Sequence, residues 1–259
     1  MIVDYSRYLS EKEKETFYEK GFLHKKNLIN QKICEEILNE LNQVSEEKVL
    51  NSNTGNSTYL RNLKQKNEKN YFGLSYLMNS SIFCNSIKKI MHLKLLSLSS
   101  FLLDRDDCYF SDNELHIRQP EINHPIPSHQ DNFYFRLKNP KALTCYIFLT
   151  KQNRESGGLG FLPSNISKNK VESHSPSNIV GFSSYVKERE AIKDKFEYPN
   201  TSPGDVIFHH CTTFHRADSN KSKYPSIAAS IRVFSYGCLE KDKNLEKRYL
   251  KNLKFNKSI

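Results

Sequence analysis

From about residue 95 onward the apolar residues of this chain arrive in short runs, separated by Gly, Pro, Ser, Asn and Asp. "LLSLSSFLL", "ELHIRQPE", "HQDNFYFRL", "ALTCYIFLT", "GLGFLPS", "NIVGFSSYV", "GDVIFHHCT" and "SIAASIRVFSY" each read as a strand. Many short strands with turn residues between them speak against a parallel α/β sheet, whose strands need helical crossovers. They favour a sandwich or jelly roll.

The first third has a different texture. "SEKEKETFYEKGF" opens on Ser10, a residue suited to capping a helix, and stops at Gly21. "NQKICEEILNELNQV" carries Ile33, Ile37, Leu41 and Val44 on one stripe of a helix that starts after Asn30. Residues 45–70 read as a polar loop, and a third helix is expected over 80–93, with Ile82, Phe83, Ile87, Ile90 and Met91 on one face. No repeat and no Pro/Ser-rich linker divides the 259 residues, so one domain is expected over 1–259. It comprises a mostly helical part (1–94), a strand-rich core (95–237) and a basic C-terminal tail (238–259), the last a short helix or frayed.

The 14 Tyr and 16 Phe can fill a core without Trp. A net charge of +10 favours anionic partners, but no nucleic-acid motif accompanies it, so none is expected as a partner. The six cysteines stand apart with no C-x-x-C pair, which suits a reducing compartment. With no apolar signal core near Met1 and no membrane-length apolar run, a cytoplasmic protein without a membrane partner is expected.

His129 and Asp131 in "SHQDNFYF" stand two apart, a spacing that puts both on one face of a strand. Alone, the pair is a weak signal and reads more readily as the wet side of a sheet. A second segment changes that reading: in "SPGDVIFHHCTTFHRADSN", the Pro203-Gly204-Asp205 turn feeds a strand, and His215 follows 84 residues after Asp131. Two histidines and a carboxylate can occupy one face of an octahedral metal and leave three positions open. His209 and His210 compete with His215 for the distal histidine at this point.

In order and spacing these segments resemble the phytanoyl-CoA dioxygenase (PhyH) family of Fe(II)/2-oxoglutarate-dependent oxygenases over most of the chain. "KETFYEKGFLHKKNLINQKICEEILNEL" looks like its opening, and "HQDNFYF" with "KNPKALTCYIFLT" like its iron-binding strand and partner. "ESGGLGFLPSN" resembles its N-G-x-L-x-x-x-P-G-S turn, and "PGDVIFHHCTTFHRADSNKS" its G-D-x-x-x-F-H…H-x-S-x-x-N segment. The resemblance implies a double-stranded β-helix (a cupin-like jelly roll) behind N-terminal helices. It implies His129, Asp131 and His215 as iron ligands, with Asn220 giving His215 its context, and His209 and His210 as one core-facing and one surface histidine. Fe(II), 2-oxoglutarate and O2 are the implied cofactors. Gln130, Thr144 and Tyr146 fall where relatives can touch the cosubstrate, and Tyr134, Phe133 and Phe135 read as core.

Two departures stand out. Ala217 replaces the serine two residues after the distal histidine, and Ser226 replaces the arginine eleven after it, which pairs with the distal carboxylate of 2-oxoglutarate. A desolvated carboxylate needs a countercharge, which a hydroxyl does not supply. Arg118 and Arg232 are the candidate substitutes, whereas Arg136 has the parity of an outward residue.

The implied reaction is hydroxylation of an unactivated C–H in a small, by expectation anionic, metabolite, coupled to decarboxylation of 2-oxoglutarate to succinate. Asp131 argues against halogenation, in which the carboxylate gives way to a small residue. Lids are expected at 45–70 and 165–200, where His174 and nearby lysines could meet an anion. Two alternatives stand: an iron oxygenase that does not use 2-oxoglutarate, and a silent jelly-roll binding protein. Substrate identity and oligomeric state are not legible.

Overall fold

The chain starts with a helix that its own side chains close. In the computed structural model, which describes residues 8–45, 48–49, 58–59, 74–91, 93–120, 123–168, 170–179, 181–187 and 195–257, α1 spans Glu11–Lys20. Ser10 and Glu13 form a reciprocal capping box, and Gly21 ends the helix in the left-handed region at φ 79°. β1 (Phe22–Lys25) follows, and α2 (Gln31–Leu41) starts at Asn30, whose side chain accepts from the Lys32 N–H.

The expected third helix is broken. Ser80–Ile82 form one 3₁₀ turn and α3 covers only Ser86–Ile90, so Ile82 is exposed instead of sharing a face with Ile87 and Ile90. The Asn113 side chain accepts from the Ser81 N–H and the Ser80 hydroxyl, fixing the first turn apart from α3. "LLSLSSFLL", expected as a strand, belongs to helix α4 (Leu93–Leu103). Its apolar residues bury Leu95, Leu98 and Leu102, a helical spacing that a nearly continuous apolar run conceals.

The rest is a jelly roll. Seven strands form the large sheet in the order β1-β10-β6-β12-β4-β3-β2, with β2 Thr58–Tyr59, β3 Leu74–Met78, β4 Cys108–Arg118, β6 Ala142–Phe148, β10 Val206–His210 and β12 Ser226–Ser235. Three short strands, β5 (Ile126–His129), β11 (His215–Ala217) and β7 (Leu159–Phe161), form the facing sheet in the order β5-β11-β7. "NIVGFSSYV" contributes only β9 (Ser184–Tyr185), paired with β8 (Ser175–Pro176). A one-turn helix, α5, spans Asp131–Phe135, and the basic C-terminal segment is a 15-residue helix, α6 (Lys243–Lys257). Among the described residues no helix is long and apolar enough to cross a membrane.

Strand parity separates two interiors. Leu115, Ile117, Leu143, Ile147, Val206, Phe208, Ile227 and Ile231 face the helices and pack with Phe17, Ile37, Leu98 and Leu102. Tyr146, Phe148, Ile207 and Ala228 face the small sheet and pack with Phe161, Leu159 and Ala217. The turn feeding β10 is fixed by Gly204 (φ 90°), where an added Cβ would lie 2.3 Å from the Ile29 carbonyl, and by Asp205, which accepts from the Asn27 and Ser202 N–H groups.

Two histidines outside the inner cavity are buried in neutral form. His210, between α1 and the sheet, approaches the Pro140 carbonyl and the Thr212 hydroxyl, and burial pushes it down to about 3. His174 is pushed to about 3, again mainly by burial. Between pH 6.5 and about 3 the unfolded chain binds protons that the folded chain refuses, so stability is full above pH 6.5 and falls as pH drops through that window. Each histidine removes about 1.4 kcal/mol per pH unit there. Thermal melts at pH 7.5, 6.0 and 5.0 should therefore fall progressively, and a Tm that stays constant would contradict the neutral burial of both rings.

Candidate metal centre

Two imidazoles and one carboxylate meet between the sheets. His215 in β11 is the cross-strand partner of His129 in β5 and of Phe161 in β7, so the two histidine rings stand side by side with centroids 4.2 Å apart. The "HQDNFYFRL" run is not one strand: β5 ends at His129 and α5 (Asp131–Phe135) begins at once. Gln130 between them remains extended (φ −122°, ψ 127°), which suffices to turn Asp131 to the same side as His129. The helical turn is held by the Asn132 N–H donating to the Cys211 carbonyl.

The nitrogen roles follow from the hydrogen bonds. His129 Nδ1 lies 2.8 Å from the Pro127 carbonyl and His215 Nδ1 lies 3.0 Å from the Thr213 carbonyl, so each donates there and leaves a lone pair on Nε2. Those Nε2 atoms face Asp131 Oδ1 at 3.5 Å and 3.6 Å. Thr144, on β6, donates to the other oxygen, Asp131 Oδ2, at 2.9 Å. Burial, reinforced by His129, pushes His215 well below the ordinary imidazole value. Three acceptors thus converge, with ligand atoms within 4.8 Å of one another. Cis donors on one octahedral ion stand about 3 Å apart, so the set fits a divalent metal with a modest closing of the side chains.

His209 and His210 are both buried, against the expectation that one is a surface residue. β10 is an internal strand of the large sheet, with α1 over its outer face and the small sheet over its inner one, so neither parity reaches water. His209 faces inward, its Nδ1 3.9 Å from Asp131 Oδ2, and burial lowers it to about 4. In the motif quoted above its position carries Phe, so it is an additional imidazole beside the triad.

The other expected contacts divide. Thr144, Tyr146 and Arg232 line a cavity of about 860 Å³ that also contains the triad. Gln130 points away from it: its amide donates to the Thr212 and Lys170 carbonyls and accepts from the Glu172 N–H, tying 170–172 to the triad's strand. Ser226 donates to the Ser156 carbonyl, opposite Arg118 on β4, and neither lines the cavity. Arg136 ends α5 and lies over the Tyr249 ring. His174 is no anion receptor, because it is stacked on Phe133 and accepts from the Gln130 N–H. The expected 45–70 lid lies mostly outside the described residues, whereas Ser177, Asn178, Ile179 and Phe182 of the later segment do form cavity wall.

Several wall residues had no sequence signal of their own. Glu114 and His116 share the inward parity of Arg118 on β4, which alternation could have shown. Tyr249 and Leu253 come from α6, anchored where Asn252 donates to the His174 carbonyl and the Ser184 hydroxyl.

A family model described as phytanoyl-CoA dioxygenase (PhyH) matches residues 17–226. No curated protein matches the sequence. Among solved structures, EvdO2 from Micromonospora carbonacea var. aurantiaca complexed with 2-oxoglutarate is 16% identical at a TM-score of 0.67, covering 88% of this chain and 91% of that one. EctD from S. alaskensis in its apoform is 15% identical at 0.68, over 92% and 80%. The epimerase SnoN in complex with Fe3+, alpha ketoglutarate and nogalamycin RO is 17% identical at 0.63, over 87% and 83%. At these identities the structures are similar in fold.

Metal titration of the apoprotein tests the centre. His129→Ala, Asp131→Ala and His215→Ala should each weaken Fe(II) or Co(II) binding by about 100-fold or more, and Thr144→Val by about 10-fold. His209→Phe should bind within about threefold of the parent, because its Nδ1 lies outside the converging set. Calorimetry under anaerobic conditions reads all five, and equal losses across them would refute the assignment.

Proposed function

The chain belongs to the phytanoyl-CoA dioxygenase family of Fe(II)/2-oxoglutarate-dependent oxygenases, and from that premise we propose that it hydroxylates a C–H bond of a small molecule held against His129, Asp131 and His215. The observation that carries this reading is the pair of Nε2 lone pairs turned toward a carboxylate oxygen, an arrangement that repels itself unless a cation lies between. Bound iron with 2-oxoglutarate and O2 supplies the oxidising power. The protein supplies the mould.

Each residue's task follows from its contacts. The Pro127 and Thr213 carbonyls fix the imidazole tautomers, and Thr144 holds Asp131 Oδ2 so that Oδ1 faces the histidines. Asp131 occupies a face position that a halogenating site leaves to halide, which supports hydroxylation. Tyr76, Tyr134, Phe135, Phe182 and Tyr249 line the cavity and can pack a substrate's apolar body while excluding water.

The wall does not single out an anion. Among the described lining residues the one arginine, Arg232, donates to both Asp112 and Glu114, and none is a lysine. Glu114 is itself held down to about 2, burial notwithstanding, by the Arg232 charge. A neutral or zwitterionic substrate suits this described wall better than an acidic one.

Turnover without substrate offers a direct test. Protein reconstituted with Fe(II) and supplied with 2-oxoglutarate and O2 should form succinate slowly, and a substrate that fits should raise the rate at least tenfold. His215→Ala should abolish both. Succinate formation unaffected by that substitution would sink the reading.

A further inference from the structure

We propose that Arg118, with the phenols of Tyr76 and Tyr146, supplies the subsite for the distal carboxylate of 2-oxoglutarate, taking from the neighbouring strand the charge that Ser226 lacks. The inference rests on the reading above and adds the residue that secures the cosubstrate.

Two arginines point inward from the large sheet, and their surroundings separate them. Arg232 is bracketed by Asp112 and Glu114, and Glu114 also meets His116 Nε2 at 3.0 Å and the Ser230 hydroxyl at 3.3 Å. To grip another carboxylate it would have to give up two. Arg118 is only 7% exposed, yet among the described residues no carboxylate lies within ion-pair distance of it. The nearby Asp218 side chain is taken by Arg154 at 2.8 Å. Arg118 Nη2 donates to the His124 and Asp218 carbonyls, while its Nε is buried with no acceptor among the described residues. A buried guanidinium with a vacant donor, whose one nearby carboxylate (Asp218) is already paired with Arg154, calls for an anion.

Its place in the fold suits that anion. Arg118 is the cross-strand partner of Ser226, so the two side chains leave the sheet side by side on the inner face. Gly157 makes room for it: a Cβ there would lie 2.6 Å from Arg118 Nε. Tyr76 and Tyr146 line the cavity, and the Arg118 charge acts on both phenols. Neither phenol hydroxyl has a hydrogen-bond partner among the described residues. When one carboxylate of 2-oxoglutarate and its keto oxygen serve the metal, the other remains as a free anion. Two vacant phenol donors backed by a buried cation match that group, whereas the apolar cluster around Ala217, Ala228, Phe148 and Phe161 offers it nothing.

The test compares two 2-oxo acids on full-length protein loaded anaerobically with Fe(II), following the visible charge-transfer band. 2-Oxoglutarate has the distal carboxylate and 2-oxobutyrate lacks it. Arg118→Gln should weaken 2-oxoglutarate by about 100-fold, and Tyr146→Phe by about 10-fold, with 2-oxobutyrate affinity unchanged within about threefold. Arg232→Gln should leave the ratio of the two acids as in the parent. Arg118→Gln/Ser226→Arg should restore 2-oxoglutarate binding. If Arg118→Gln does not fold, Tyr146→Phe and the double variant decide. Unchanged 2-oxoglutarate affinity in Arg118→Gln, or equal loss of both acids, overturns the proposal. No band in the parent with either acid would instead overturn the functional reading on which it rests.

Discussion

Two buried imidazole lone pairs and a carboxylate oxygen facing one another are mutually repulsive, and the fold around His129, Asp131 and His215 is organised to hold them there. Rotating either ring away would break its Nδ1 bond to a backbone carbonyl, and rotating Asp131 would break its bond to Thr144. Each buried bond of this kind is worth about 1 kcal/mol net, and leaving its partner unmet costs more. The repulsion is therefore maintained by the sheet until a cation relieves it.

The jelly roll supplies that rigidity through register. β11 sits between β5 and β7, so both histidines come from neighbouring strands of one short sheet. β6 brings Thr144 from the opposite sheet, and a bond between the sheets passes through Asp131 itself. The same parity that turns Thr144 inward turns His116 and Arg232 inward too, giving the cavity a polar wall on its large-sheet side, with Arg118 on the same face of β4 but outside that lining. The two inward cations are not equivalent: Arg232 is neutralised twice over, whereas Arg118 keeps a buried Nε without an acceptor among the described residues.

Much of this was legible in the residues because strand chemistry is local. The cap at Ser10, the stop at Gly21 and most of the short strands follow from side-chain pattern and turn residues, whereas the choice of His215 over His209 and His210 came from the family resemblance. What the pattern hid has physical reasons. "LLSLSSFLL" is apolar at six of its nine positions, without a clean period of two or of 3.6, so its string does not separate helix from strand. The one-turn α5 depends on a backbone bond from Asn132 to Cys211, which no local propensity encodes. His209 and His210 both lie inside because β10 is covered on both faces, a fact of tertiary layering. The walls from α6 reach the cavity only through its packing beside Ser184 and His174.

The most direct measurement is an anomalous difference map at the iron edge from crystals grown anaerobically with Fe(II) and 2-oxoglutarate. A single peak is expected about 2.1 Å from His129 Nε2, His215 Nε2 and Asp131 Oδ1, with His209 unbound. A peak coordinated by His209 in place of any of the three, or no peak in the cavity, would contradict the account.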